Sequence, residues 1–478
     1  MSENLENKKD LKLVAANQSL KTSIQNQNTY TSLSESEEKI NLCDKNFLSV
    51  EQQFVLKKME DSNDNIMITG KAGTGKSFLL NHFVANTKKR VVIVAPTGVA
   101  ALNVGGQTIH SLFQLEKGLQ LIDNIRYQEV PYKLKCVLRA IDTIIIDEVS
   151  MVSPDIIDAI DIICKNARNS TSAFGGIQLI CFGDLYQLPP VYKDEVKDYF
   201  QNIYGGTLFF NAHAFENTNF IDDNNLKIYE LNHIFRQKDE LFKKLLNAIR
   251  IGNNSKRVID ILNTRVISEK VNKDVVTLTT RKDIASRINN NELSKLPGKE
   301  FTYKAYISGN VPDNHFPTDE LMRLKIGAKV MMINNDPNKR WVNGTFGTIT
   351  ALSDKEIKVT VDGKEYTIEK NRWEEIKYTM VNGELTKEVT GVFEQFPMKL
   401  AWAITIHKSQ GQTLDSVLVD LGTGAFLEGQ TYVALSRCKS LENLYLKYPI
   451  KSSDIHVNQE AVNFMKNARI IKIADEEK

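Results

Sequence analysis

The stretch NIMITGKAGTGKSFLL, residues 65–80, decides the fold. Its opening IMIT, residues 66–69, has strand character and runs straight into GKAGTGKS, residues 70–77. The apolar FLL of residues 78–80 then starts a helix. A loop of the form G-x-x-x-x-G-K-S between strand and helix is built to cradle phosphate. Backbone N–H groups must approach phosphate oxygens closely, which glycine permits, and the helix start aims its positive end at the same anion. On this reading Gly70, Ala72, Gly73, Thr74 and Gly75 wrap the phosphates of a nucleotide. Lys76 reaches the β- and γ-phosphates, and the Ser77 hydroxyl takes a place on Mg²⁺.

The neighbouring stretches repeat the theme of a buried strand that ends in polar residues. TIIIDE, residues 143–148, delivers two adjacent carboxylates at a strand end. Asp147 suits Mg²⁺ held through water, and Glu148 suits orienting and deprotonating an attacking water. VVIVA, residues 91–95, is apolar throughout, as a strand covered on both faces must be. It leads into TGVAA and then GGQTIHS, residues 105–111. Hydroxyls and backbone N–H groups at such a strand end suit a phosphodiester chain. IQLICF, residues 177–182, ends in GDLYQLPP. There Gln187 is the candidate nucleotide sensor, since an amide can bond a phosphate and a side chain together. Between these strands, Ser153, Pro154 and Asp155 open a helix, with Ser153 as its N-cap. Upstream, Gln52 supports two readings. It closes a capping box with Ser49, or it reads the adenine edge.

A second α/β pattern begins near Leu226, with a strand at 275–279 and a helix at 283–296. Residues 305–395 change character to short strands separated by turn signals such as Asn343-Gly344 and Asp362-Gly363. That pattern predicts a small β-barrel inserted in the second lobe. Residues 114–140, carrying Arg126, Lys133, Lys135 and Arg139, read as a small insertion on the first lobe, with a solvated basic face as the competing reading. The predicted layout is a disordered tail at 1–45 and a first lobe at 46–228. The second lobe takes 229–304 and 396–478, with the barrel at 305–395.

Composition narrows the class. The 61 basic and 59 acidic residues nearly cancel, so any nucleic-acid contact must be a local channel rather than bulk basicity. The five cysteines form no C-x-x-C pair, which argues against a zinc ribbon or a disulfide framework and fits a reducing compartment. No apolar run reaches membrane-spanning length, and MSENLENKKD lacks a signal-peptide core. The expectation is a cytoplasmic α/β enzyme with no membrane partner, the nucleus remaining open.

The order of these motifs resembles the Pif family of superfamily-one, B-type DNA helicases, with RecD-like helicases as relatives. The resemblance runs from about residue 48 to 446. GKAGTGKS (70–77), APTGVAALNVGGQTIHSLF (95–113), IIIDEVSM (144–151) and FGGIQLICFGDLYQLPPV (174–191) carry it in the first half. FRQ (235–237), LAWAITIHKSQGQTLD (400–415) and YVALSRC (432–438) carry it in the second. It implies two RecA-like parallel-sheet lobes, ATP with Mg²⁺, and a barrel like a Src-homology-three domain. It places Gln52 at adenine, Gly411 at nucleotide, and Gln187 between nucleotide state and DNA. Arg236 and Arg437 fall where arginines reach the γ-phosphate. Thr97, Thr108, His110, Thr405, His407 and Ser409 fall in motifs lining a single-strand channel. The implied activity is 5′-to-3′ translocation on single-stranded DNA and unwinding of forked or structured DNA in repair, recombination or replication. A monomer, or a dimer on DNA, would do this work. Two other readings stand beside it: a translocase that does not separate duplexes, and a P-loop nucleotide switch acting on a partner protein.

Overall fold

The computed structural model describes residues 48–471, apart from 117, 193, 216–225, 268–274, 339, 342 and 382–383. The tail expected at 1–45 lies outside the described residues. The strands of the first half are β1 (Ile66–Gly70), β2 (Val91–Ala95), β3 (Gln107–Thr108), β4 (Thr143–Ile146), β5 (Gln178–Phe182) and β6 (Lys227–Leu231). Next come β7 (Val276–Thr279), β8 (Phe301–Lys304), β9 (Tyr306–Gly309), β10 (Leu321–Leu324) and β11 (Lys329–Met332). Then follow β12 (Phe346–Leu352), β13 (Ile357–Val361), β14 (Lys364–Ile368), β15 (Asn371–Val381) and β16 (Glu384–Gln395). The last are β17 (Met398–Leu400), β18 (Ala403–Thr405), β19 (Val417–Asp420), β20 (Leu444–Leu446) and β21 (Ile470–Ile471).

A seven-stranded sheet in the order β21-β6-β1-β5-β4-β2-β3 forms the first lobe. All its pairings are parallel. β1, β4 and β5 are buried along their whole length, as their unbroken apolar runs require. Their carboxyl ends put the P-loop, the Asp147-Glu148 pair and the 183–190 loop along one edge of the sheet. The second lobe is a four-stranded parallel sheet, β18-β7-β19-β20.

Two boundaries differ from the sequence reading. β6 pairs with β1 over its whole length, so the first lobe runs to Leu231 and not to 228. The end of the chain also returns to the first lobe. The helix Gln459–Asn467 buries Ala461, Val462 and Met465 in the first-lobe core, Phe464 stacks on Phe210 at 3.8 Å, and β21 pairs with β6. Residues 459–471 therefore leave the second lobe to which 396–478 was assigned. Two-residue strands carry no readable period, so β21 gave no signal.

In the inserted region β14-β13-β12-β11-β17 form an antiparallel sheet around a core of their own, including Val330, Trp341, Ile349, Val359 and Met398. β15 and β16 form a long hairpin that was not anticipated, with β9 on its outer side. It leaves that core and reaches the first lobe. Tyr378 is buried there, and its hydroxyl accepts the Ile93 N–H at 3.2 Å. The Lys387 ammonium donates to the Gly105 carbonyl at 2.7 Å. The 114–140 segment supplies the helices Ile122–Arg126 and Tyr132–Ala140, whose Ile125, Leu134, Val137 and Leu138 join the first-lobe core. Ser153 stands at the N-cap of Pro154–Arg168, yet its hydroxyl bonds the Asp155 carboxylate rather than a backbone N–H. No helix among the described residues is long and apolar enough to cross a membrane.

Candidate functional site

The P-loop leaves β1 and enters the helix Lys76–Asn86 through Gly75, whose φ of 82° is left-handed. No side chain caps this helix, so its first N–H groups point outward unclaimed by a capping group. Glycine is required at two points. A Cβ on Gly73, where φ is 84°, would sit 2.4 Å from Cβ of Arg236, and one on Gly75 would sit 2.6 Å from Nε2 of Gln52. The Lys76 ammonium folds back onto the carbonyls of Gly70 at 2.6 Å and Lys71 at 3.2 Å. Burial holds it below the usual lysine range. The geometry shows the capping-box reading of Gln52. Its Oε1 accepts the Ser49 N–H, completing the capping box, while Nε2 reaches the carbonyls of Thr74 at 3.4 Å and Gly75 at 3.5 Å.

Asp147 and Glu148 follow β4 directly. Glu148 adopts a φ of 53°, a left-handed conformation that costs an ordinary residue about 1–2 kcal/mol and marks a site held under strain. Gln410, from the second lobe, donates to its carboxylate at 2.9 Å. Burial and then the Glu148 charge push Asp147 up to about 7. Burial also pushes Glu148 up, against the pull of Lys76 and Arg437. Among the described residues neither carboxylate has an ion pair within 4 Å, so two acids stand side by side with only the longer-range pull of Lys76 and Arg437 on them. That arrangement fits a divalent cation. No cluster of three or more His, Cys, Asp or Glu among the described residues is set to hold a metal alone. Mg²⁺ does not need one, because it keeps waters and takes phosphate oxygens beside one or two protein ligands. Ser77 and Asp147 would be those ligands.

A cavity of about 390 Å³ joins these groups. Ala72 to Ser77, Asp147, Glu148 and Gln187 line it from the first lobe, and Gly411 and Arg437 from the second. Arg236, on the crossing between the lobes, completes it. Burial, then the neighbouring Arg437, lowers Arg236 to about 9. Arg236 donates to the Ser436 carbonyl at 3.1 Å. Arg437 is almost fully buried, and its donors reach Val433, Ser409, Gln412 and Ser436. Three further residues escaped the sequence reading. Gln237 donates to the carbonyls on both sides of Arg437, at 3.1 and 3.0 Å, and so fixes its backbone. Phe78 and Phe235, 52% and 38% exposed, add aromatic surface to the cavity. Phe78 follows the glycine-rich loop directly, and Phe235 sits in the quoted FRQ motif beside Arg236.

The channel candidates divide. Thr97 is exposed and caps the helix Gly98–Asn103, and Thr108 caps Ile109–Phe113. His110 and His407 are half-buried, and burial lowers His407. The Thr405 hydroxyl accepts the Lys408 N–H, and Ser409 is fully buried with its hydroxyl on the Ile406 carbonyl. These two hydroxyls are turned into their own lobe. Beside them lies a group the sequence reading did not single out. Lys399 is pushed down to about 7 by burial and then by the charge of Lys408, with Lys282 adding to it and Asp319 opposing. None of the three lysines makes an ion pair among the described residues.

A family model described as PIF1-like helicase matches residues 47–260. The chain is 34% identical over 413 residues to the ATP-dependent DNA helicase Pif1 of Bdellovibrio bacteriovorus, covering 84% of this chain and 87% of that one. The chain belongs to the PIF1-like helicase family. It covers 64% of the longer PIF1 of Danio rerio, at 34% identity over 88% of this chain. Among solved structures, the Bacteroides sp. Pif1 in complex with ADP-AlF4 superposes with a TM-score of 0.80 at 35% identity, covering 88% of this chain and 96% of that one. The Bacteroides Pif1 bound to single-stranded DNA superposes at 0.63 with the same identity and coverage. These PIF1-like neighbours match the two-lobed parallel-sheet architecture described above.

Proposed function

We propose that this chain is an ATP-driven DNA helicase that moves along single-stranded DNA 5′-to-3′ and opens forked or structured duplexes. The observation that carries the reading is the cavity built by both lobes. The P-loop and the Asp147-Glu148 pair face Gly411 and Arg437 across it, with Arg236 on the crossing. A cleft made this way closes when nucleotide binds, and closure moves one parallel sheet against the other. Lys76 and the P-loop backbone hold the β- and γ-phosphates, and Ser77 and Asp147 hold Mg²⁺. Glu148 takes the proton from the attacking water. Arg236 and Arg437 meet the charge that develops on the γ-phosphoryl group. Gln52 turns to the adenine, and Gln187 reports nucleotide state. Thr97, Thr108, His110, Thr405, His407 and Ser409 lie in the segments that face the DNA strand, Thr405 and Ser409 through their backbone. The protein acts as a monomer or as a pair on DNA.

The switch reading loses ground here, because a switch has no need of a second lobe that offers arginines to the phosphates. A fork assay separates unwinding from translocation alone. ATP turnover is measured with and without single strands, and strand release is followed on forks carrying only a 5′ or only a 3′ tail. The expected result is strong stimulation and release from the 5′-tailed fork. Stimulation without release from either fork would establish a translocase. Absence of stimulation would defeat both motor readings.

A further inference from the structure

The 184–188 segment bridges the two lobes: Leu185 and Tyr186 lie in the first-lobe core, while Leu188 reaches the core of the second. Leu188 and Ala72 sit in the same core as Phe242, Leu245 and Val433 of the second lobe. Gly429 precedes the helix Gln430–Ser436 with a φ of 70°. A Cβ there would lie 2.4 Å from the Gln187 carbonyl oxygen and 2.6 Å from that of Tyr186. No space separates this helix from the loop.

One buried carboxylate organises the contact. Asp184 is fully buried. Its Oδ1 accepts from Nη2 of Arg250 at 3.0 Å and from the Tyr186 N–H at 3.2 Å. Its Oδ2 accepts from Nε2 of Gln187 and from the Tyr432 hydroxyl, both at 3.4 Å. The Tyr432 hydroxyl in turn accepts the Ala72 N–H of the P-loop at 2.9 Å. The Arg250 guanidinium also lies 4.2 Å from the Tyr186 ring and 3.8 Å from the Glu230 carboxylate. Burial works against the Asp184 charge, but Arg250 and Lys76 outweigh it and hold the carboxyl below its usual range. A buried ion pair is seldom worth more to stability than apolar packing of the same volume. Its value here is positional. The oxygen that holds Gln187 also holds Tyr432, and Arg437 lies at the end of the Tyr432 helix.

We propose that Asp184, Arg250 and Tyr432 form a strut that ties the Gln187 loop to the second lobe, so that Gln187 and Arg437 meet the nucleotide together. The three are positioning residues. This rests on the motor reading above. Cleft closure then alters the P-loop, through Ala72, and the sensor glutamine in a single step. Binding of nucleotide and binding of DNA are coupled through it, and such coupling is reciprocal.

The test measures affinity for a fluorescein-labelled oligothymidine strand by anisotropy, once with ADP and once with ADP and aluminium fluoride. The ratio of the two affinities is the coupling. Tyr432→Phe keeps the ring and removes the shared hydroxyl. It should shrink the ratio by about 3–10-fold, the worth of one hydrogen bond. Asp184→Asn should shrink it at least as much. The double variant should lose less than the two single losses combined, because the Tyr432–Asp184 bond is counted in both. A thermal melt shows whether each variant folds, and if Asp184→Asn does not, Tyr432→Phe decides. A ratio unchanged within about twofold in folded Tyr432→Phe overturns the strut, as does strict additivity in the double variant. A wild-type protein with no nucleotide-dependent change in strand affinity overturns the motor reading instead, which keeps the two failures apart.

Discussion

Glu148→Gln tests the assigned chemistry with least disturbance of the fold. The amide matches the carboxylate in shape, and the left-handed backbone at φ 53° costs glutamine what it costs glutamate. The bond from Gln410 can persist, since a glutamine oxygen still accepts. It weakens from a charge-assisted bond of about 1.5–3 kcal/mol to a neutral one of about 0.5–1.5 kcal/mol. That difference, near 1 kcal/mol, is a factor of about five and cannot produce a loss of orders of magnitude. Loss of the general base can, at about 10²–10⁴-fold. Electrostatics make the opposite prediction for binding. The Glu148 charge helps push Asp147 up to about 7. Without it Asp147 is more fully ionised near neutral pH, so Mg²⁺-nucleotide should bind as tightly as before or tighter. Single-turnover hydrolysis and titration with a fluorescent nucleotide measure the two quantities separately. Turnover within about fivefold of wild type would refute the role of Glu148, because the weakened bond alone accounts for that much.

Gly73→Ala should raise the nucleotide dissociation constant at least about tenfold, because the new Cβ meets Arg236 and a left-handed alanine adds about 1–2 kcal/mol of strain. Calorimetry that finds unchanged affinity would contradict this. Lys399 gives a pH signature. A lysine held at about 7 is charged below that pH, and phosphate binds the charged form. Strand affinity should therefore be full on the acid side and fall as pH rises through the bound group's pKa. Lys399→Arg should flatten the profile between about pH 7 and 9, since arginine stays charged. Equal slopes for the two proteins in anisotropy titrations would remove Lys399 from the strand path. Tyr127 and Tyr132 stand 83% and 81% exposed on the 114–140 insertion, and exposed aromatic rings can stack on an unpaired base. The double alanine variant should slow fork opening while strand-stimulated ATP turnover stays within about twofold of wild type. Parallel loss of both would assign these rings to strand binding or folding.

Legibility followed period and context. β1, β2, β4 and β5 announced themselves because buried parallel strands are continuous apolar runs, and β1, β4 and β5 led into residues that now line the cavity. For Gln52 the sequence held the capping box with Ser49, whereas the reach of the same amide to the P-loop carbonyls is a tertiary contact with no local pattern. The β15–β16 hairpin was missed although Ile376, Tyr378 and Met380 alternate with Lys377 and Thr379, the period of a half-buried strand. What hid it was the barrel expectation, which absorbed the whole of 305–395. The Asp184–Arg250–Tyr432 contact left no trace in sequence. Its partners are separated by 66 and 248 positions, and only the meeting of two sheets brings them together.

The return of residues 459–471 to the first sheet has a mechanical consequence. The chain passes from the first lobe to the second after Leu231 and comes back near Asn458, where Glu460 bonds the Thr207 and Leu208 N–H groups. The second lobe is thus fastened by two straps rather than one. A body held at two points can swing about the line through them but resists twisting across it. Any opening of the cleft must therefore be accommodated at both crossings. Cutting the chain after Val457 would leave one strap and expose the edge of β6. The severed protein would keep every residue that lines its nucleotide cavity and lose one of the two crossings that hold the second lobe.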